Sequence, residues 1–162
     1  MKISILLPYK ENYSPIYPGA VSIFINSVIK YSKYKKNIKV YGNTELKKKY
    51  SKNYFNIPLK KKYLQSSTKI YLNNFLKIKN KRKSNIIEVH NRPKYLESLK
   101  HLKNRKFVLY FHNDPLSISG SEKIEERILL INNCDKIIFN SNWTKDQFTS
   151  NLDKFYQNST KL

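Results

Sequence analysis

Ile86-Ile87-Glu88-Val89-His90-Asn91-Arg92-Pro93 and, beyond a short basic stretch, Phe107-Val108-Leu109-Tyr110-Phe111-His112-Asn113-Asp114 decide how this chain folds. Each segment is an apolar run, β-branched or aromatic, that stops at polar, turn-forming residues. Runs of this length bounded by turn residues read as strands covered on both faces. Between them, residues from Pro93 to His101 predict a short helix with Pro93 at its first position. A strand, a helix and another strand in that order build parallel sheet.

The same grammar continues on either side. Ile3 to Leu7 is a continuous apolar run closed by Pro8, and Tyr9 to Pro18 must be a loop. From Ala20, Val21, Phe24, Ile25, Val28 and Ile29 recur at helical spacing, with Ser22, Asn26 and Lys30 opposite. Ile38 to Gly42 is a second strand. Downstream, Ser121 reads as a helix N-cap followed by Glu122, Glu125 and Glu126, with Ile124, Ile128, Leu129 and Ile131 as the buried stripe. Asp135 to Asn140 is a further strand, and Ser141 or Asn142 caps a last helix containing Trp143 and Phe148. The expected fold class is α/β, a Rossmann-like, doubly wound and mainly parallel sheet with helices on both faces. Residues 1–150 are drawn as one domain, and 151–162 as a tail without a convincing strand.

Residues 43–84 resist this reading. Lysine runs at 47–49 and 60–62 flank Tyr54-Phe55-Asn56-Ile57-Pro58-Leu59, and Ile70, Leu72, Phe75, Leu76 and Ile78 suggest an irregular basic helix. Such charge runs are usually solvated surface. The alternative is a basic, aromatic-flecked face that lies on anionic lipid.

A net charge of +21 comes almost wholly from Lys, with only four Arg in 162 residues. Lysine is the generic solvated cation, whereas base and phosphate recognition favours arginine forks. The charge suits an anionic partner, whether membrane surface, nucleic acid or sugar nucleotide, without choosing among them. No helix-turn-helix or RNP-type signature argues for specific nucleic-acid binding. The apolar stretch at Met1 to Pro8 is too short for a signal peptide, and no run is long enough to span a bilayer. The lone Cys134 excludes an internal disulfide and a cysteine-based zinc site, and suits a reducing cytoplasm.

In doubly wound sheets ligands bind past the carboxyl ends of the strands. Polar residues collect there: Tyr9 to Asn12, His90-Asn91-Arg92, His112-Asn113-Asp114 and Asn140-Ser141-Asn142. His112 could serve as a general acid or base or donate to a hydroxyl or phosphate, or it could organise the following turn. Asp114 before Pro115 could be a ligand-facing carboxylate or a turn former. His90, Asn91 and Arg92 offer an imidazole, an amide and a guanidinium in one turn, and Glu88 alternates with His90 so that both can share a face. Gly19, opening the first helix, would let a phosphate approach its amides. No third ligand accompanies His90 and His112, so no metal site is expected. There is no G-x-G-x-x-G or P-loop lysine motif.

Taken in order, these residues resemble the N-terminal domain of the family 4 glycosyltransferases, retaining enzymes of the GT-B architecture. The match runs through Pro18-Gly19-Ala20, Ile86 to Pro93, Leu109 to Asp114, and Cys134 through Ser141 to Trp143-Thr144-Lys145 and Phe148. The resemblance implies that Gly19 lies against the diphosphate of a sugar nucleotide and that His112 lies near sugar and acceptor, as the catalytic residue. It implies that His90, Asn91 and Arg92, with Asn113 and Asp114, line the acceptor cleft; Glu88, Asn140 and Ser141 are further candidates. It also implies a nucleotide-sugar substrate rather than a cofactor, no essential metal, and a glycan or lipid-linked acceptor of the cell-envelope polysaccharide type. The lone cysteine and the basic 43–84 segment lead to the expectation of a cytoplasmic protein, peripheral on the inner face of the membrane.

Two departures qualify it. The family commonly carries two adjacent glycines where this chain has Gly19-Ala20. The donor-binding second domain, with its Arg/Lys and glutamate pairs, is not found in these residues. The expectation is therefore half of a transferase, with little or no activity alone. The rival expectation is a basic, non-catalytic module binding a membrane surface or nucleic acid.

Overall fold

A computed structural model describes residues 1–59, 66–81 and 84–162; the lysine run at 60–62 lies outside the described residues. Contacts gather into two compact units, Met1–Asn85 and Ile86–Leu162. Each holds three parallel strands.

In the first unit, β1 (Ile3–Leu6), α1 (Ala20–Tyr31), β2 (Ile38–Gly42), β3 (Tyr54–Asn56) and α2 (Ser67–Lys81) follow one another. β2 lies between β1 and β3, with Ile5 opposite Val40 and Val40 opposite Tyr54. Parallel partners need a crossover, and α1 supplies the one between β1 and β2. Its apolar face packs with the strands in a core of Ile5, Leu7, Tyr13, Val21, Ile25, Ile29, Ile38 and Val40. The face is turned from the one predicted: Ser22 is buried and Val28 is 47% exposed. At the helix N-terminus the Ser22 amide donates to the Glu11 carboxylate at 2.9 Å.

Within 43–84, residues 43–59 and 66–81 supply a strand and a helix to this unit. β3 pairs with β2, and Tyr54 stacks on the fully buried Tyr13 with ring centroids 5.4 Å apart. α2 contributes Ile70, Tyr71, Leu72 and Phe75 to the buried set, and the Tyr71 hydroxyl donates to the Leu7 carbonyl at 2.8 Å. Of the lysines at 47–49, Lys47 and Lys48 are exposed. Lys49 folds back, donating to the carbonyls of Thr44 and Leu46 and sitting over the Tyr54 ring.

The second unit runs β4 (Ile86–His90), α3 (Tyr95–Leu99), β5 (Lys106–Phe111), α4 (Ile124–Asn133), β6 (Lys136–Phe139), α5 (Asn142–Thr149) and α6 (Lys154–Gln157). β5 is the middle strand, with His90 opposite Tyr110 and Phe111 opposite Phe139. Phe111, Phe139 and Phe148 form an aromatic cluster with centroids 5.3–5.8 Å apart.

Three local expectations are corrected here. α3 begins at Tyr95, so Pro93 lies in the preceding turn, whose Arg92 and Pro93 carbonyls accept from the amides of Tyr95 and Leu96. Ser121 does not cap α4; its hydroxyl donates to the Pro115 and Ile118 carbonyls, and Glu126 caps the helix by accepting from the Lys123 amide. The buried stripe of α4 is Arg127, Leu130 and Ile131, while Leu129 is 58% exposed. Arg127 turns inward because its guanidinium reaches the Gln147 and Ser150 carbonyls at the C-terminal end of α5, where a cation is favoured.

Residues 151–162 contain no strand, but they are held. Leu152 is buried, the Ile137 amide donates to the Lys161 carbonyl at 2.7 Å, and the Lys161 ammonium reaches the Ile131 carbonyl. Among the described residues no helix is long and apolar enough to cross a membrane.

Candidate functional site

The carboxyl ends of β4, β5 and β6 lie side by side in the second unit, and the polar residues after them converge. Asn91 is the knot. Its backbone stands at φ 49°, a left-handed conformation that asparagine tolerates better than most residues. That turn brings its buried side chain back across β5, where the carboxamide oxygen accepts from the His112 amide at 2.7 Å. Its amide group donates to the Asn113 side chain at 2.8 Å. From the other side, Asn140 donates to the His112 carbonyl at 2.8 Å and accepts from the Thr144 hydroxyl. Both peptide groups of His112 are thus pinned by side chains of the neighbouring strand ends.

The ring of His112 is pinned as well. Its Nε2 lies 2.8 Å from His90 Nδ1, and His90 Nε2 lies 2.7 Å from the Glu88 carboxylate. Tyr110 stacks on both imidazoles, 5.4 Å from His90 and 4.4 Å from His112. The alternation of β4 puts Glu88 and His90 on one face, and the register sets His90 beside Tyr110, with His112 one pleat further on. His90 is fully buried, whereas Glu88 is partly exposed and His112 half-buried. Burial, reinforced by the neighbouring His90, lowers the His112 pKa from 6.5 to about 4 against the opposing pull of Glu88. His112 is therefore a neutral imidazole at pH 7. Burial, with the Glu88 charge, likewise raises the Tyr110 pKa, leaving a neutral phenol.

The sequence-predicted residues divide by what they touch. His112, Asn113 and Arg92 are accessible at the strand ends. Arg92 is exposed, with its guanidinium donating to the Asn91 carbonyl at 3.0 Å. His90 and Asn91 are buried and act on their surroundings through His112 and Asn113. Asp114 accepts from the Leu116 amide and opens the short turn at Pro115–Ser117, the turn-forming alternative. Ser141 caps α5 by accepting from the Thr144 amide. Tyr110 and Thr144 complete the site and were not singled out in the sequence; the pairing register alone places Tyr110 there.

Gly19 belongs to the first unit. It sits directly before α1 with ordinary φ −76°, so no unusual backbone requires glycine. A Cβ at this position would overlap the Glu11 carboxylate, the far end of a side chain that accepts from the Ser22 amide at 2.9 Å, and would push it aside. An anion of the chain's own thus stands at the α1 N-terminus. Cys134 is buried, and burial pushes its thiol up to about 12, so it is no nucleophile. Among the described residues no group of three or more His, Cys, Asp or Glu could hold a metal ion.

No family model matches the sequence. No curated protein matches it either. The fold is shared with solved structures, among them sucrose-phosphate synthase from Thermosynechococcus elongatus, at a TM-score of 0.56 and 10% identity over 85% of this chain. The chain spans 42% of that protein's length. This chain has an α/β, Rossmann-like fold that it shares with that structure.

Proposed function

We propose that residues 1–162 are the acceptor-side half of a nucleotide-sugar-dependent glycosyltransferase, transferring a sugar to a glycan or lipid-linked acceptor of the cell-envelope polysaccharide type. The observation that carries this reading is the pinned His112: a neutral imidazole held by its main chain and its ring, at the carboxyl ends of three parallel strands. That is where α/β sheets bind ligands, and the arrangement suits hydrogen bonding to hydroxyls more than holding an anion. The shared fold and the family 4 resemblance of the motifs point the same way.

In this reading His112 meets the reacting sugar, and Asn113 and Arg92 meet the acceptor. His90, Asn91, Asp114, Asn140 and Ser141 hold these groups in place, and Gly19 faces the donor diphosphate once Glu11 has withdrawn. The substrate is the nucleotide sugar, with no further cofactor or metal. Transfer needs donor and acceptor fixed together in one dry space, so it also needs a donor-binding half, on the same polypeptide or another. The exposed Lys47 and Lys48 would serve peripheral contact with an anionic membrane at its cytoplasmic face.

Amide-resolved NMR titrations test this with two probes, neutral oligosaccharides and polyprenyl-phosphate-linked sugars. The expected result is shifts centred on His112, Asn113 and Asp114. Random-sequence oligonucleotides binding to the lysine-rich surface, with glycans leaving the strand ends untouched, would replace this reading with that of a basic binding module. Radiolabelled nucleotide sugars should give no turnover with residues 1–162 alone.

A further inference from the structure

α1 is apolar on two sides, and one of them faces water. Val21, Ser22, Ile25 and Ile29 form its buried side. Opposite them run Ala20, Ile23, Phe24, Ser27, Val28 and Tyr31, at the i, i+3, i+4, i+7 spacing of a second stripe. Phe24 leans on the core, whereas Ile23 and Val28 are half-exposed and Tyr31 is almost wholly so. The loop that enters the helix adds Ile16 and Tyr17, the latter 83% exposed. Among the described residues, six of the eleven exposed large hydrophobic side chains fall within 16–34: these five and Tyr34. Apolar residues scattered singly over a surface need no explanation, but a contiguous stripe marks a contact surface.

The loop is held in this presentation. Asn12 accepts from the Gly19 amide through its carbonyl and donates its side-chain amide to the Tyr17 carbonyl. Tyr17 stands at φ 48°, a left-handed conformation that a bulky residue rarely adopts, and its ring is nevertheless in solvent.

The charge around the stripe says what covers it. No Asp or Glu occurs from Asn12 to Thr44, whereas Lys30, Lys33, Lys35 and Lys36 stand exposed at the end of α1 and just beyond it. The Lys30 ammonium lies over the Tyr31 ring at 5.5 Å and that of Lys33 over the Tyr34 ring at 5.3 Å. Such Tyr–Lys pairs suit a boundary where rings meet an apolar phase and ammonium groups stay among anions. A second copy of this chain would bring the same lysines and the same net charge of +21, and would be repelled. An anionic bilayer offers both apolar depth and a negative surface.

We propose that the outer side of α1, with Ile16 and Tyr17, docks on an anionic lipid bilayer. With 12 residues, α1 lies in the plane of the interface rather than crossing it. The proposal names the face for the membrane contact of the acceptor-side reading, and rests on that reading only for what the contact serves. It supplies the apolar component that Lys47 and Lys48 lack.

Co-sedimentation of the full chain with phosphatidylcholine vesicles, with and without phosphatidylglycerol, tests it in the absence of any sugar. Its failure therefore leaves the glycan titration at His112 untouched. Wild type should pellet with the phosphatidylglycerol vesicles, and part of that binding should survive high salt. The triple variant Tyr17→Ser, Ile23→Ser, Val28→Ser should keep a near-native thermal midpoint and partition at least about tenfold more weakly, because three apolar side chains no longer insert. Lys47→Gln with Lys48→Gln should weaken binding far less. In a Trp143→Phe background, Tyr17→Trp fluorescence should be quenched by lipids brominated on their acyl chains. A folded triple variant that binds as wild type overturns the proposal, and so does an unquenched tryptophan on pelleted protein. A dimer in sedimentation velocity that the triple variant dissolves would also overturn it, by assigning the stripe to a second copy. Should the triple variant fail to fold, the quenching decides.

Discussion

Acidification from pH 7 to pH 4 asks His112 to accept a proton in a place that has no welcome for one. Unfolded, its ring titrates near 6.5; folded, burial and His90 hold it near 4. Between those values the unfolded chain binds the proton and the folded chain does not, so stability is complete above about pH 6.5 and declines as the pH falls. The whole difference would amount to about 3.5 kcal/mol at roughly 1.4 kcal/mol per pH unit. Because His112 is only half-buried, solvent screening brings the expected loss down to ~1–2 kcal/mol. Urea unfolding followed by circular dichroism at a series of pH values measures it, with His112→Asn as the reference that cannot take up this proton. Wild type should lose that increment relative to the variant between pH 6.5 and pH 4. A His112 ring resonance titrating near 6.5 in the folded protein, or parallel pH profiles for the two proteins, would refute the reasoning.

Four further outcomes are expected. Gly19→Ala pushes the Glu11 carboxylate off the Ser22 amide and should cost ~1 kcal/mol, a value typical of a lost helix cap; adding Glu11→Ala should cost almost nothing more, which a double-mutant cycle reads directly. Asn91→Ala loses two part-buried hydrogen bonds and the residue type that accepts φ 49°, so unfolding midpoints should report ~2–4 kcal/mol lost, with Asn91→Gly milder by ~1 kcal/mol. Arg127→Met withdraws donors from two carbonyls at the end of α5 and should cost ~1–2 kcal/mol in the same assay. Cys134 should resist iodoacetamide in the native protein and react promptly in urea, which mass spectrometry resolves.

Much of the architecture was open to reading because parallel strands announce themselves. Ile38–Gly42 and Ile86–His90 appear with the bounds expected, since runs apolar on both faces have few other homes. β3 was hidden because three residues, Tyr54-Phe55-Asn56, carry no periodicity, and only pairing with β2 makes them a strand. The α4 face was misjudged because a hydrophobic stripe cannot count a buried arginine: the carbonyls that draw Arg127 inward lie some 20 residues downstream. At the site, the strand-end rule found His90, Asn91, His112 and Asn113 as a cluster. It could not find their division of labour, which depends on register: one residue of slippage between β4 and β5 would part His90 from His112. Glu11 against Gly19 left no trace in the sequence, because a loop decides it.

The hydrogen bond from the Ile137 amide to the Lys161 carbonyl carries a consequence for how this protein behaves in a crowded solution. β6 follows β5 in the strand order of its unit, and a strand edge with bare amides is a template on which a foreign strand can grow. The returning segment at Lys161 takes up one of those amides, and Lys136 ties the same segment down through the Thr160 carbonyl. Residues 151–162 therefore behave as a selvedge that keeps the weave from catching on its neighbours. Trimming them should show first as concentration-dependent fibril formation, before any change at the strand ends.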